Sequence, residues 1–327
     1  MSGAQNKNMK RIAILTSGGD APGMNAAIRA VVRTAIYNKI EIFGVKMGYN
    51  GLINGDIFKM ELSSVADIIH RGGTILGTAR SDEFMTDEGR QKALASLQKN
   101  EIDGVVVIGG DGSMRGALSL HRVGVKTISI PATIDNDLGY TDYTIGFMTA
   151  LETVADAISK LRDTSSAHGR ANIVEVMGRN CGDIALYSGL AGGAETIFVP
   201  EEPVNIEELV SKAISGKKRG KRHHIIVVAE GSTDTYKLRD VFEERTGIET
   251  RVTVLGHVQR GGTPTVFDRI LGSRMGYEAV MLLINGQSGL SLGMRSNELF
   301  MQNIEEALSK DKIFNSKMLD IAKILSI

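Results

Sequence analysis

Two carboxylates two positions apart, Asp135 and Asp137 in Thr133-Ile134-Asp135-Asn136-Asp137, follow the apolar run at 127–130. A carboxylate placed there can take a proton from a hydroxyl as a general base. The spacing alone is common in surface turns, so its meaning depends on what shares its edge. Gly109-Gly110-Asp111-Gly112-Ser113 directly follows the run at 105–108. Its glycines leave room for phosphates to approach the backbone. Asp111 offers one hard oxygen ligand for Mg²⁺, which needs only one or two carboxylates beside phosphates. A third loop, Thr16-Ser17-Gly18-Gly19-Asp20-Ala21-Pro22-Gly23-Met24-Asn25, opens a helical pattern. A helix N-terminus presents unpaired N–H groups and a positive dipole end to an anion. No lysine follows its glycines, so it is not a GxxxxGK[ST] loop, and taken alone it also reads as an ordinary βα turn. The GGDGS loop is the sharpest of the three and marks a phosphoryl donor site.

These loops need elements that bring them to one edge. Short Val/Ile-rich runs at 11–16, 40–45, 104–108, 127–130, 172–176, 196–199 and 224–229 alternate with helix-patterned stretches at 24–37, 86–99, 147–162 and 206–215. Continuous apolar runs suit strands buried on both faces, and their alternation with helices predicts doubly wound α/β architecture. Open sheets of this kind bind ligands at the carboxyl ends of their strands. A single (β/α) barrel is the competing arrangement. Composition shifts near 146 and 258 predict two mostly parallel-sheet, Rossmann-like domains, the second inserted into the first: 1–145 with 258–308, and 146–257 with 309–327.

The chain has 327 residues, more than one core usually serves, with 42% hydrophobic residues and 38 glycines. Lys+Arg and Asp+Glu both number 38, which gives no case for nucleic acid or a membrane surface. The single Cys181 excludes an internal disulfide and fits a reducing cytoplasm. No apolar stretch is long enough to cross a bilayer. The polar start of the chain lacks a signal-peptide hydrophobic region and is expected to fray, with Met9 as a second possible start. The basic run at 217–224 reads as a solvated loop or part of an anion site; it has no aromatic residues for stacking on bases. His70 and His121 fall in helix-like stretches and read as structural.

The segments SGGDAPGMNAAIR, RGGT-LGTAR, VVIGGDGS, TIDND, TDYTIGF, LRDTSSAHGR, VEVMGR-CGD and TVLGHVQRGG, in this order along nearly the whole chain, resemble bacterial ATP-dependent 6-phosphofructokinases. GGDG turns also occur in lipid and NAD kinases, so breadth and order carry the resemblance. It implies that Gly19, Arg80, Ser81, Gly110, Asp111, Gly112 and Ser113 contact ATP, with Asp111 on Mg²⁺. It implies that Thr133, Asp135 and Asp137 hold fructose 6-phosphate, Asp135 acting as base on the 1-hydroxyl. Arg80 would supply positive charge to the transferring phosphoryl, and Arg179 and Thr133 are implied as further catalytic residues beside Asp135. Met177, Gly178, Arg179 and Glu230 would line the sugar site. Arg170, Arg251, His257 and Arg260 would bind the acceptor's phosphate and hydroxyls, Arg170 and Arg251 acting across a subunit boundary in a homotetramer.

Pyrophosphate-using relatives carry Asp where Gly112 stands and Lys where Ala132 stands, so both positions favour ATP. A pyrophosphate-dependent enzyme and a non-catalytic nucleotide or sugar-phosphate sensor are the competing readings. An ADP or phosphoenolpyruvate effector site is implied at Arg29, Arg33, Arg162, Gly193, Glu195, Arg219, Lys221 and His223. Leu62, where regulated members carry arginine, and Arg219 in place of lysine depart from that pattern.

Overall fold

A computed structural model describes residues 9–326, so the expectations for residues 1–8 lie outside the described residues. Strand β1 (Arg11–Thr16) leads into helix α1 (Met24–Tyr37), followed by β2 (Glu41–Val45), α2 (Gly48–Asn54) and the short β3 (Ile57–Lys59). Helix α3 (Asp87–Lys99) precedes β4 (Gly104–Gly109), α4 (Asp111–Arg122), β5 (Lys126–Thr133) and β6 (Ile145–Gly146). Then come α5 (Phe147–His168), β7 (Ala171–Val176), α6 (Asp183–Ala191), β8 (Thr196–Phe198), α7 (Ile206–Lys218), β9 (His224–Ala229), α8 (Thr235–Thr246) and β10 (Thr250–Val254). The chain continues through α9 (Val266–Ile284), β11 (Leu290–Arg295), β12 (Glu298–Asn303), α10 (Ile304–Leu308) and α11 (Ser316–Leu325).

Two units divide these elements. The first runs to Ile134 and takes in Leu138–Thr149 and Arg260–Asp311; the second holds Asp135–Asp137, Ala150–Gln259 and the chain from Lys312 onward. Among the described residues the first unit has an eight-stranded sheet in the order β12-β11-β5-β4-β1-β2-β3, with β6 beside β5. Its pairs are parallel except β2/β3 and β11/β12. The second unit has the order β10-β7-β9-β8, parallel throughout. Both sheets are open, which excludes a (β/α) barrel.

The strand signal follows burial. Every residue of β4, Gly-Val-Val-Val-Ile-Gly, is buried, as is every residue of β9. On one side of the first sheet α1 packs closely on α9, and glycines set the distance. A Cβ at Gly272 would lie 2.9 Å from the Gly23 carbonyl oxygen, and one at Gly276 would lie 2.6 Å from that of Ala27. Asp268, buried in the first turn of α9, accepts from the Gly146 and Thr149 amides at 2.9 and 2.8 Å and from the Thr149 hydroxyl at 2.5 Å. That carboxylate ties the start of α5 to the start of α9. Burial pushes its pKa up, and the hydrogen bonds oppose the shift. One expectation fails: His70 lies in a turn, not a helix, just before Arg71-Gly72-Gly73, whose glycines break the pattern. His121 does lie in α4 and bonds Ser288 Oγ at 3.1 Å.

Candidate active site

In the first unit the loops expected to take the donor are stitched together by short hydrogen bonds. The Ser17 amide donates to the Ile108 carbonyl at 3.0 Å, and Ser113 Oγ donates to the Ser17 carbonyl at 2.9 Å. Gly109 is required here, because a Cβ would lie 2.3 Å from Ser113 Oγ and 2.5 Å from the Ser17 oxygen. Gly110 caps α4 and Asp111 begins it, so the loop delivers Asp111 at a helix N-terminus. A Cβ on Gly110 would lie 3.7 Å from Thr133 Cβ, which brings the end of β5 beside this loop. The segment with Arg80 and Ser81 is anchored to the same place. Ser81 Oγ accepts from the Phe84 amide at 3.3 Å, Phe84 stacks on Tyr49 at 4.1 Å, and Tyr49 donates to the Ser113 carbonyl at 2.7 Å. Burial pushes the Tyr49 phenol pKa up, keeping it a neutral donor. Arg80 itself is exposed. Arg260 lies against the first glycine loop: a Cβ on Gly19 would sit 3.7 Å from its guanidinium.

The second unit gathers several of the residues expected at the acceptor. Asp135 is buried, and the Arg179 guanidinium lies 3.7 Å from both Asp135 Oδ2 and Asp137 Oδ2. Arg179 and Asn136 both have left-handed backbone, with φ of 54° and 52°. Such conformations cost on the order of 1–3 kcal/mol and persist only where neighbours enforce them. The enforcement is visible. Glu230 Oε1 accepts from the Gly178 and Arg179 amides at 3.2 and 2.8 Å, and Gln259 Oε1 accepts from the Met177 amide at 3.2 Å. A Cβ at Gly178 would lie 2.4 Å from the Cys181 carbonyl oxygen. Asn136 Nδ2 donates to Asp183 Oδ2 at 2.9 Å, and Lys312 Nζ balances Asp183 at 3.0 Å. His257 is exposed in the short 3-10 turn Gly256–Arg260 after β10.

Cys181 is buried, and burial pushes its thiol up to about 12. Iodoacetamide at pH 8 is therefore expected to label the native protein at least ~10³-fold more slowly than the urea-unfolded chain, read by mass spectrometry. The sign for stability follows: above the ordinary value of 9.0 only the unfolded thiol ionises, so this group favours unfolding progressively as pH rises from there toward 12.

The other predicted residues of the second unit lie at the opposite edge. Arg170 directly precedes β7, whereas Met177, Gly178 and Arg179 follow it. A strand of 6 residues rises about 20 Å. Arg251 is likewise near the start of β10, with His257 beyond its end. Arg170 Nε and Arg251 Nη2 both pair with Glu249, at 2.8 and 2.5 Å. The same N-terminal edge holds the candidate effector cluster. Glu195, buried, pairs with Lys221 at 2.9 Å and Arg162 at 3.7 Å. Arg162 also donates to the Gly192 and Gly193 carbonyls at 2.6 and 2.7 Å. Arg162 Nη1 lies 2.9 Å from His223 Nε2; arginine cannot accept, so Nε2 accepts and Nδ1–H faces Ser166 Oγ at 2.9 Å. Burial lowers the His223 pKa, in keeping with a neutral ring. Arg219 donates to Ser215 Oγ at 3.2 Å, and Arg29 and Arg33 are on α1 in the first unit. Leu62 is exposed, at the start of the 3-10 turn Leu62–Val65.

A sequence model of the family described as Phosphofructokinase matches residues 11–283. The chain belongs to the phosphofructokinase family. It is 62% identical over 319 residues to the ATP-dependent 6-phosphofructokinase of Alkaliphilus metalliredigens and 59% identical over 319 residues to that of Finegoldia magna. Both alignments cover 98% of this chain and all of the relative. The phosphofructokinase structure from Saccharomyces cerevisiae superposes with a TM-score of 0.85 at 36% identity, over 97% of this chain. This chain spans 46% of that longer one. A pyrophosphate-dependent phosphofructokinase from Marinobacter aquaeolei has the same fold, with a TM-score of 0.85 at 22% identity, covering 94% of this chain and 86% of its own.

Two positions bear on the phosphoryl donor of this phosphofructokinase. A Cβ on Gly112 would meet nothing within 4 Å, so the space beside it is open. Ala132 lies in extended strand β5, where a methyl group is accommodated without strain. Several residues that hold the candidate side chains or loops in place carried no local signal: Tyr49, Glu249 and Gln259 act through partners 64, 79 and 82 positions away.

Proposed function

We propose that this phosphofructokinase transfers the γ-phosphoryl of ATP to the 1-hydroxyl of fructose 6-phosphate, the glycolytic step, with Asp135 as general base. The observation that carries it is the buried Asp135 carboxylate, with Arg179 at 3.7 Å, on the segment that leaves β5. Thr133, two positions earlier, lies against the loop that delivers Asp111. Asp135 takes the hydroxyl proton as the oxygen attacks. Arg179 between Asp135 and Asp137 limits carboxylate repulsion of an anionic acceptor, and Arg80 supplies charge to the moving phosphoryl. Glu230 holds the 178–179 amides and so fixes the Arg179 fork.

Mg²⁺ fits this donor set, since Asp111 brings one hard oxygen to a glycine-lined helix start and phosphates supply the rest. When bound, the ion neutralises charge on the donor phosphates. Among the described residues no three His, Cys, Asp or Glu side chains form a protein-only metal cage.

Arg170 and Arg251 lie at the wrong edge of their own sheet to reach the acceptor held by Arg179. Their placement supports a homotetramer in which they complete the site of another copy. An effector anion, ADP or phosphoenolpyruvate, is read at Arg162, Lys221 and His223, weakened by Leu62. The free buried thiol supports a cytoplasmic enzyme. The deciding assay varies the donor. Turnover with ATP and at most ~1% of that rate with pyrophosphate is expected; robust turnover with pyrophosphate alone overturns the reading. No turnover with either donor leaves a sensor.

A further inference from the structure

Two guanidinium groups that repel one another lie side by side at the N-terminal edge of the second unit's sheet. The backbone puts them there: Arg251 faces Asn172 in the β7/β10 register, one position beyond Ala171, and the Ala171 amide donates to the Glu249 carbonyl at 2.9 Å. The side chain of the same Glu249 then accepts from both, from Arg170 Nε on Oε2 at 2.8 Å and from Arg251 Nη2 on Oε1 at 2.5 Å. All three side chains are partly exposed, with 33% of Arg170, 61% of Arg251 and 47% of Glu249 accessible. A guanidinium carries five N–H donors, so each arginine spends one on Glu249 and keeps four. Without the carboxylate, two cations on long flexible stems would splay apart. With it they form a fork-bearing pair of net single positive charge, ordered before any anion arrives.

We propose that Glu249 is a positioning residue for phosphate recognition, its carboxylate holding Arg170 and Arg251 as one preorganised unit for the acceptor's phosphate. This rests on the reading that the two arginines bind that phosphate. The alternative role for such a carboxylate is competition, in which it occupies the arginines and must be displaced. The contact pattern favours positioning, because each carboxylate oxygen takes a single N–H and leaves the remaining donors of both forks for a ligand.

The test is a steady-state cycle at saturating ATP with fructose 6-phosphate varied, using the full chain as wild type, Glu249→Gln, Arg251→Ala and the double variant. Glu249→Gln is expected to raise KM for fructose 6-phosphate roughly five- to tenfold, with kcat and the KM for ATP within about twofold. Arg251→Ala is expected to raise the same KM at least ~10-fold, and adding Glu249→Gln to it should lower kcat/KM by clearly less than Glu249→Gln does alone, because only Arg170 is then left to position. A Glu249→Gln effect that persists in full in the Arg251→Ala background overturns the proposal, as does one that falls equally on kcat and on the KM for ATP. A lower KM in Glu249→Gln means competition and overturns it too. If Arg251→Ala shifts KM while Glu249→Gln does nothing, the positioning role alone fails. If Arg251→Ala leaves KM unmoved, the phosphate reading fails first and the proposal with it.

Discussion

Asp135→Asn is expected to lower kcat at least ~10²–10⁴-fold while the dissociation constant for fructose 6-phosphate stays within about tenfold. The substitution is isosteric and removes only the proton-accepting oxygen and its charge. Asp135 is 6% exposed, so its carboxylate has little contact with bulk water. Binding should survive for an electrostatic reason. Arg179 keeps Asp137 as an ion-pair partner at 3.7 Å, and losing one negative charge eases the approach of an anionic sugar phosphate. The fold should survive as well, since the neighbouring bond from Asn136 to Asp183 does not involve Asp135. Steady-state kcat, calorimetric titration with fructose 6-phosphate and a melting curve check the three statements separately. A variant that binds the sugar and retains kcat within tenfold of wild type would remove Asp135 from the chemistry and leave it a binding group.

What the sequence disclosed, and what it hid, follows from how far each signal reaches along the chain. Strands β4 and β9 were legible because both faces are buried and the residues must be apolar throughout. Strand β10, with exposed Arg251 and Val254, has no such run and escaped notice, although it carries Arg251 and positions Glu249. The helix read over 147–162 runs on to His168 through Ser165 and Ser166, polar residues that periodicity discounts. There Ser165 Oγ bonds the Asn172 side chain and Ser166 meets His223, so tertiary contacts outweigh the weak local preference. The glycine loops were legible because close backbone approach forces the residue type. Arg179 was legible only through resemblance. Its role depends on a left-handed φ that Glu230 and Gln259 impose from 51 positions along the chain or more. The separation of Arg170 from Arg179 needed the strand direction of β7, which a residue pattern does not contain.

Gly112→Asp is expected to cut kcat/KM for ATP by at least ~10²-fold while leaving the apoprotein as stable as wild type, or slightly more so. The two effects have opposite origins. A Cβ at Gly112 meets nothing within 4 Å, and the residue sits in the first turn of α4 with ordinary helical backbone. An acidic side chain there complements the helix dipole, worth about 0.3–1 kcal/mol, and Asp is slightly better than glycine in intrinsic helix propensity. Melting should therefore hold or rise by a few degrees. The new carboxylate would stand beside Asp111 at the helix start proposed to take the nucleotide phosphates, and like-charge juxtaposition with them costs several kcal/mol. The KM for fructose 6-phosphate should not move, because its residues lie on other loops. Gly109→Ala is the contrasting control: its Cβ would lie 2.3 Å from Ser113 Oγ and 2.5 Å from the Ser17 oxygen, so it should lose stability and activity together. Steady-state rates with ATP, set beside thermal unfolding without ligands, separate the two variants. If Gly112→Asp keeps its ATP kcat/KM within threefold of wild type, the open space beside Gly112 is not where the donor lies, and the assignment of this loop to the nucleotide falls with it.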